Sequence, residues 1–358
     1  MKVALVHDWL FHMRGGEKVL EAIAQIYPEA TIYTLFYDRA GLSKTFDKIE
    51  IRASVLQKLP GIKKYYRWLL PFLPWLIGTL KIDPDTQVVI SSSHCVAKGI
   101  PIPKNAFHIC YCHTPMRYIW GFEKDYFSKM PSFMRGIIGW ISHCLRKWDI
   151  QVNTNVDQFI ANSNNVKYRI KQFYNRESTV VYPPLDAKFY EPSGQLGDFY
   201  LVVSAFVPYK KIDLVIEAFN ELDRPLFIVG SGPMEKTYRQ LRRSEKITFL
   251  GAVSNAELKK LYAQAKALLF PTEEDFGIVP LEAQSSGTPV IAFGKGGALE
   301  SVKSGVFFHE QSPTAIRQAV IEFEAKSFDR AQIPGLVSSF DRSCFQDQIK
   351  KLIASWVR

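Results

Sequence analysis

The sequence predicts an α/β protein of two parallel-sheet domains, and three observations carry that expectation. Short apolar runs of β character alternate with helical patterns along most of the 358 residues. A break rich in proline and glycine at 183–197 (PPLDAKFYEPSGQLG) separates two such series. The length is too great for one ordinary core and suits two of roughly 150–200 residues each. Strand–helix alternation builds parallel sheets with helices on both faces, so two Rossmann-like domains are expected at 1–190 and 191–335. A C-terminal helix at 336–358 would pack back toward the first domain. Ligands of such sheets sit outside the carboxyl ends of the strands, which for a tandem pair means the cleft across which the sheets face each other.

In the first half, β-runs are expected at 3–7, 31–36, 88–92, 107–112, 158–161 and 179–182. Gly15-Gly16 follows the first of them and opens a helix with Val19, Leu20, Ile23 and Ile26 on one face, stopped by Pro28. Ser163 or Asn164 can cap a helix beginning near 164. In the second half, β-runs at 199–204, 226–229, 247–250, 267–270 and 289–293 alternate with helical patterns at 213–222, 234–243, 256–265 and 279–286. Ser254-Asn255-Ala256-Glu257 is a capping box opening the third of these helices.

Charge is unevenly spread. Residues 1–190 carry 25 Lys+Arg against 15 Asp+Glu, and 191–358 carry 20 of each, so the net charge of +10 belongs to the first half. Residues 51–150 alone hold 14 basic and 5 acidic side chains. Such a surface attracts an anionic partner: nucleic acid, acidic lipid or a phosphorylated substrate. Nucleic acid is not expected, because no helix-turn-helix, zinc or RNA-binding signature is present and the aromatics cluster with apolar residues rather than arginines. Five cysteines without a Cys-x-x-Cys pair indicate reduced buried thiols, with neither a disulfide framework nor a metal site. Asp83-Pro84-Asp85 precedes a β-run and reads as a turn rather than a metal-binding pair. The amino-terminal residues read directly as a strand rather than a signal segment, and a cytoplasmic protein is therefore expected.

The most apolar window, 68–80 (WLLPFLPWLIGTL), is interrupted by Pro71 and Pro74 and is shorter than the roughly 20 residues that span a bilayer. With Lys63, Lys64, Arg67, Tyr65 and Tyr66 before it, the stretch has two readings. It has the composition of an interfacial segment that would dock residues 63–80 on an anionic membrane surface, peripheral to the inner face of the cell membrane. It reads equally as a core helical hairpin with a solvated basic edge.

The strongest local signal is 271–282, PTEEDFGIVPLE. A β-run ends, a loop with carboxylates and Gly277 follows, and a helix begins near Ile278, where backbone N–H groups form an anion seat. Glu282 lies about one turn into that helix, where a carboxylate can accept bonds from vicinal hydroxyls. Composition alone favours the simpler reading, an acidic first turn that stabilises the helix dipole. The spacing of Glu274 and Glu282 within EDFGIVPLE, followed by SSGTPVIA, resembles the signature of the retaining glycosyltransferases of the GT-B fold, the glycosyl transferases group 1 superfamily. The resemblance implies that Glu282 binds the nucleotide ribose and Glu274 the donor sugar, with Phe276, Gly277 and Ile278 offering backbone contacts.

Further segments match in order and extend the likeness over nearly the whole chain. VVSAFVPYKKIDLVIEAF resembles the family's phosphate-binding loop, with Lys210 and Lys211 as cations for the diphosphate; cations at a helix start oppose its dipole, which favours a ligand role. The arginine usual five residues before that lysine is Ala205 here. The turn at Gly230 and Gly232 would border the nucleotide, and the backbone near Val253 its base. The loop 294–297 (GKGG) suits either the donor or a tight turn. In the first half, Gly15, Gly16 and Arg117 would form an acceptor or phosphate loop. CHTPMRYIW resembles a segment of bacterial mannosyltransferases of polysaccharide and O-antigen assembly, in which the histidine, here His113, contacts the transferred sugar. Alone, such a histidine more often packs in a core. SSSHCVAKG and VIAFGKGGALESV strengthen this narrower likeness.

The resemblance implies a retaining hexosyltransferase, metal-independent and without a cofactor. It would move mannose from GDP-mannose to a saccharide or polyprenyl-diphosphate-linked acceptor, with His113, Glu274 and Lys210 catalytic. The competing readings are a UDP-sugar-dependent transferase, a sugar-nucleotide epimerase of the same fold, a noncatalytic sugar-nucleotide sensor, and a basic nucleic-acid-binding protein.

Overall fold

The computed structural model describes residues 1–121 and 132–357; the side chains of Arg67 and of residues 132–135 lie outside the described set. The chain forms two compact units, Met1–Pro184 with Ser343–Arg358, and Leu185–Arg342.

The first unit is a seven-stranded sheet of β1 (Val3–His7), β2 (Thr31–Thr34), β3 (Ile51–Ala53), β4 (Val88–Ser93), β5 (Phe107–Cys112), β6 (Gln158–Ala161) and β7 (Thr179–Val180). The order is β3-β2-β1-β4-β5-β6-β7, and every pair is parallel. All five residues of β1 are buried, as a parallel sheet covered on both faces requires. Helix Gly15–Ile26 sets Val19, Leu20 and Ile23 into the same core as Leu5, Ile32 and Ile90. Helix Arg342–Trp356 adds Phe345, Ile349 and Ile353 to that core at a spacing of four. Burying each such side chain contributes about 1.5–3 kcal/mol.

The second unit is a six-stranded sheet of β8 (Tyr200–Val203), β9 (Leu226–Val229), β10 (Ile247–Gly251), β11 (Leu268–Phe270), β12 (Val290–Phe293) and β13 (Gly305–Phe308). Its order, β10-β9-β8-β11-β12-β13, is again wholly parallel. Helices Ile212–Leu222 and Pro313–Glu324 cover one face through Val215, Ile216, Phe219, Ile316 and Val320. The Ser254 hydroxyl caps helix Asn255–Gln264 by accepting the Glu257 N–H at 3.2 Å.

Several boundaries differ from expectation. The chain enters the second unit at Leu185 rather than near 190, because Leu185 and Tyr190 are buried there. Entry and exit are stitched together: the Leu185 N–H donates to the Phe340 carbonyl and the Arg342 N–H to the Leu185 carbonyl, both at 2.8 Å. The last helix begins at Arg342, not 336, since Pro334 and two short turns, Ile333–Leu336 and Ser338–Phe340, precede it. Ser163, not Asn164, caps helix Asn164–Tyr174. Helix Ser132–Gln151 and strands β3 and β13 have no counterpart among the expected elements.

The window 68–80 divides by face. Leu73, Leu76, Ile77 and Leu80 are buried with Val89 and Ala97, whereas Trp68, Phe72 and Trp75 are exposed. No helix among the described residues is long and apolar enough to cross a membrane. Asp83 and Asp85 pair with Arg52 (2.5 Å) and Lys2 (2.6 Å) beside β4.

One fully buried ion pair ties the first unit together. Lys98 Nζ lies 2.5 Å from Asp149 Oδ1, and Asp149 Oδ2 accepts from Trp120 Nε1 (2.7 Å) and the Tyr174 hydroxyl (2.8 Å). Removing one partner of a buried pair strands the other charge, at a cost of about 3–5 kcal/mol. Lys98→Met should lower the unfolding free energy by that amount in urea titrations; a loss below ~1 kcal/mol would contradict this account.

Candidate functional site

Each sheet reverses its strand order once, at β1/β4 and at β8/β11, and open α/β sheets present ligand crevices at the carboxyl ends of such strands. In the second unit, the loop after β11 and the loop after β8 meet. Lys210 Nζ pairs with Glu274 Oε1, and the Thr272 hydroxyl donates to the Tyr209 carbonyl at 3.1 Å. Gly277, at φ +88°, turns the chain into helix Ile278–Ser285 with its start free of a side-chain cap. A Cβ at Gly277 would lie 3.1 Å from the Phe270 ring, so glycine is suited to both the turn and the contact. Pro280 has no N–H, which leaves those of Ile278 and Val279 as the first donors of the helix.

Glu282 is buried on that helix. The Tyr262 hydroxyl donates to its Oε2 at 3.0 Å, and the Tyr190 hydroxyl also bonds the carboxylate. Burial first, and then the neighbouring Glu282 charge, push both phenols well above the usual tyrosine range. They therefore remain donors. A buried carboxylate requires such partners, because desolvation of an unpaired one is costly.

The glycine loops are shaped by close backbone approach. The Gly297 N–H donates to the Glu274 carbonyl at 2.8 Å, and a Cβ there would stand 2.1 Å from Phe276 Cα. The loop 294–297 is thus a tight turn packed on the backbone of 274–276. Gly230 and Gly232 likewise press on residues 204–206, where added Cβ atoms would lie 1.8 Å from the Ser204 carbonyl oxygen and 2.6 Å from that of Phe206. Ala205 is exposed within this loop, Lys211 is half-buried at φ +54°, and Val253 is half-buried after β10.

In the first unit, His7, Asp8, Ser92, His94 and His113 gather at the ends of β1, β4 and β5. The Ser92 hydroxyl lies 2.7 Å from His113 Nε2 and 3.1 Å from His7 Nδ1. A Cβ on Gly16 would lie 3.5 Å from His7 Cε1 and 3.6 Å from His113 Nε2, so Gly16 and His113 are neighbours. Space around the Gly15 Cβ position is open, and Arg117 is half-buried in the turn after β5. Asp8 accepts the backbone N–H groups of His94, Cys95, Val96 and Ala97 at 2.6–3.0 Å and faces His94 Nδ1 at 3.0 Å. Burial alone would raise its carboxyl, but His94 and the hydrogen bonds hold it well below the usual carboxylate range. Burial opposes charge on His94, yet Asp8 raises its affinity for a proton. Burial, with the neighbouring histidines, pushes His7 down to about 4 and His113 well below the ordinary value. Among the described residues, no three His, Cys, Asp or Glu side chains are placed to share a metal ion.

The sequence reading singled out Gly16, His113, Lys210, Glu274 and Glu282, and missed the partners that orient them: His7, Asp8, Ser92, His94, Tyr190 and Tyr262. A signal for the histidine cluster does exist, since the apolar runs ALV and VVI each end in polar residues, HD and SSSH, at strand carboxyl ends.

Residues 186–333 match the family described as Glycosyl transferases group 1. Over 209 residues the chain is 27% identical to the O-antigen chain mannosyltransferase RfbU of Salmonella typhimurium, a match covering 54% of this chain and 58% of RfbU, just over half that relative's length. It is 27% identical over 334 residues to the uncharacterized glycosyltransferase MJ1178 of Methanocaldococcus jannaschii, covering 90% and 88% of the two chains. Anabaena Alr3699/HepE, solved in complex with UDP, superposes with a TM-score of 0.72 at 17% identity over 99% of this chain and 100% of that one. Residues 186–333 are thus similar to the group 1 glycosyltransferases, and the chain as a whole has the fold of its GT-B structural neighbours.

The buried neutral histidines set an acid limit. His108, bonded to Ser91 Oγ (2.8 Å) and the Asn155 carbonyl (2.8 Å), is also pushed by burial to about 4. A histidine whose folded value lies below its unfolded one contributes full stability above ~6.5, and loses it as pH falls from there toward ~4. His94 works in the opposite sense, its contribution fading as pH rises through its raised folded value. Urea unfolding at pH 7 and pH 5 should show a decline with acid, and His108→Asn should reduce that decline by about 2 kcal/mol. An unchanged pH dependence in the variant would refute the assignment.

Proposed function

We propose that the protein transfers a hexose from a nucleotide-sugar, with GDP-mannose as donor, to a saccharide or lipid-linked saccharide acceptor, with retention at the anomeric carbon. The observation that carries this reading is the Lys210–Glu274 pair beside the start of helix Ile278–Ser285, with Glu282 held by two tyrosines one turn further on. Cation, helix start and two carboxylates are the complement of a sugar diphosphate joined to a ribose.

In this mechanism Glu282 accepts the ribose hydroxyls, and the Tyr262 and Tyr190 hydroxyls keep its carboxylate aimed. Lys210 and Lys211, with the N–H groups at Ile278 and Val279, take up charge as the bond from the anomeric carbon to the diphosphate oxygen breaks. The acceptor hydroxyl attacks from the same face, and its proton passes to a phosphate oxygen of the departing nucleoside diphosphate, so no protein nucleophile is needed. Glu274 and the backbone at Phe276 and Gly277 hold the sugar, while Gly230, Gly232 and Val253 border the nucleotide. His113, kept neutral by burial, contacts the transferred sugar, and Gly15, Gly16 and Arg117 serve the acceptor or a phosphate. Lys210 is already paired with Glu274, so diphosphate and sugar hydroxyl take over two groups that neutralise each other.

The mannosyl assignment is supported by the likeness to RfbU and by the CHTPMRYIW segment. Ala205 supports one competing reading, a noncatalytic sugar-nucleotide sensor, because a cation that offsets the diphosphate in the resembling family is absent there.

A thermal-shift panel of nucleotide sugars separates these readings, since ligand at ~100-fold over its dissociation constant adds about 2.7 kcal/mol. GDP-mannose should give the largest shift and GDP should compete better than UDP; the reverse ranking would assign a UDP-sugar. Glu282→Ala should weaken donor binding at least about tenfold, and Lys210→Ala should lower kcat by about 10²–10³. A sensor would bind without turnover. Activity should persist in EDTA, and its loss on chelation would contradict the metal-independent step.

A further inference from the structure

Residues 62–78 form successive helical turns, Ile62–Tyr65, Tyr66–Phe72 and Leu73–Gly78. One side is anchored in the first unit's core by Ile62, Leu73, Leu76 and Ile77, with Tyr66, Leu69 and Leu70 packed against it. On the other side the exposed residues are Tyr65 (53%), Trp68 (74%), Phe72 (60%) and Trp75 (66%). All four are exposed along turns whose Ile62, Leu73, Leu76 and Ile77 are buried, so they form an aromatic stripe on the outer side of the segment. Apolar residues exposed singly need no explanation, but four large aromatics in a row on an anchored segment mark an interaction surface. Two lysines flank the stripe, both exposed: Lys63 is paired with Asp38, which headgroup phosphates would have to replace, and Lys64 Nζ lies 5.6 Å from the Tyr65 ring centroid.

We infer that this stripe docks the protein on an anionic lipid bilayer, with Trp68, Phe72 and Trp75 in the interfacial layer and Lys63 and Lys64 on the headgroup phosphates. Two features of the surface select lipid over a protein partner. Tryptophan and tyrosine are the side chains enriched at the membrane–water boundary, where an amphipathic ring sits at headgroup level. The lysines complement a negative leaflet, and the excess of 14 basic over 5 acidic residues across 51–150 extends that complementarity beyond the stripe. The buried half of the segment, Leu73, Leu76 and Ile77, already belongs to the protein core. Docking is therefore shallow and reversible, made by one face of the turns.

The test uses the full chain and vesicles of phosphatidylcholine, either pure or mixed with phosphatidylglycerol at equal moles. Flotation at low salt should recover the protein with the anionic vesicles, not the neutral ones, and added salt should release it. Lys63→Gln with Lys64→Gln should weaken binding to anionic vesicles roughly 30-fold, equivalent to ~1 kcal/mol per lysine. Trp68→Ser with Trp75→Ser should abolish flotation while leaving thermal unfolding and the nucleotide-sugar shift as in the parent. Those two controls separate the proposal from misfolding and from the transferase reading, which stands or falls on nucleotide-sugar binding alone. Equal recovery with both vesicle types, or unchanged binding by the tryptophan variant, overturns the proposal. So does a dimer in light scattering that the same substitutions dissociate, which would assign the stripe to a second copy of the chain.

Discussion

The reversal of strand order inside each sheet is the constraint on which the rest of the molecule depends. In the first unit the chain runs outward from β1 to β3, then restarts at β4 on the other side of β1 and continues to β7. Right-handed crossovers place the connections before and after that restart on opposite faces. The loops leaving β1 and β4 therefore diverge, and the carboxyl ends between them leave a crevice where polar side chains can converge. His7, Asp8, Ser92, His94 and His113 occupy those ends, and Lys210 and Glu274 occupy the corresponding ends in the second unit.

The two clusters solve the same electrostatic problem in different ways. Asp8 is fully buried and is satisfied chiefly by four backbone N–H groups, donors that cost no side-chain ordering when a ligand arrives. Glu282 is nearly as buried, but it is satisfied by two phenols whose loss of a proton is suppressed by burial. Neither carboxylate is left as an uncompensated charge in low dielectric. Asp8 reads accordingly as a brace for the turn at 94–97 that also raises the affinity of His94 for a proton. Glu282 instead takes its donors from side chains of two separate segments, Tyr190 and Tyr262.

Much of this was legible in the residues, for identifiable reasons. Strands buried on both faces are continuous apolar runs, so β1, β5, β6 and β9 were read with their ends as observed. Strand β3 (IRA) carries Arg52 and is three residues long, and β13 (GVFF) opens on glycine, so neither shows a run that stands above its surroundings. The segment after Pro183 has the composition of a linker, yet Leu185 and Tyr190 are core residues of the second unit, a fact visible only once Phe340 and Tyr262 are beside them. Glu274 and Glu282 were found because their spacing lies within one loop and helix. The histidine cluster draws members from segments some 85 residues apart, as in the bond from His7 to Ser92, and each member alone looks like an ordinary core polar residue.

Helix Arg342–Trp356 gives the order of synthesis a physical meaning. The second unit is one continuous stretch of chain, whereas the first takes its closing helix from beyond that stretch. Domains generally fold as units, the amino-terminal one first, as the chain is made. Here the sheet begun at β1 must wait until residues 185–342 have emerged before Phe345 can set its ring 5.9 Å from Tyr111 and Gln346 can donate to the Ala22 carbonyl. Until then part of the face around Ala22 and Ile23 stays open to water. Of the two units, the one whose chain emerges first is the one completed last.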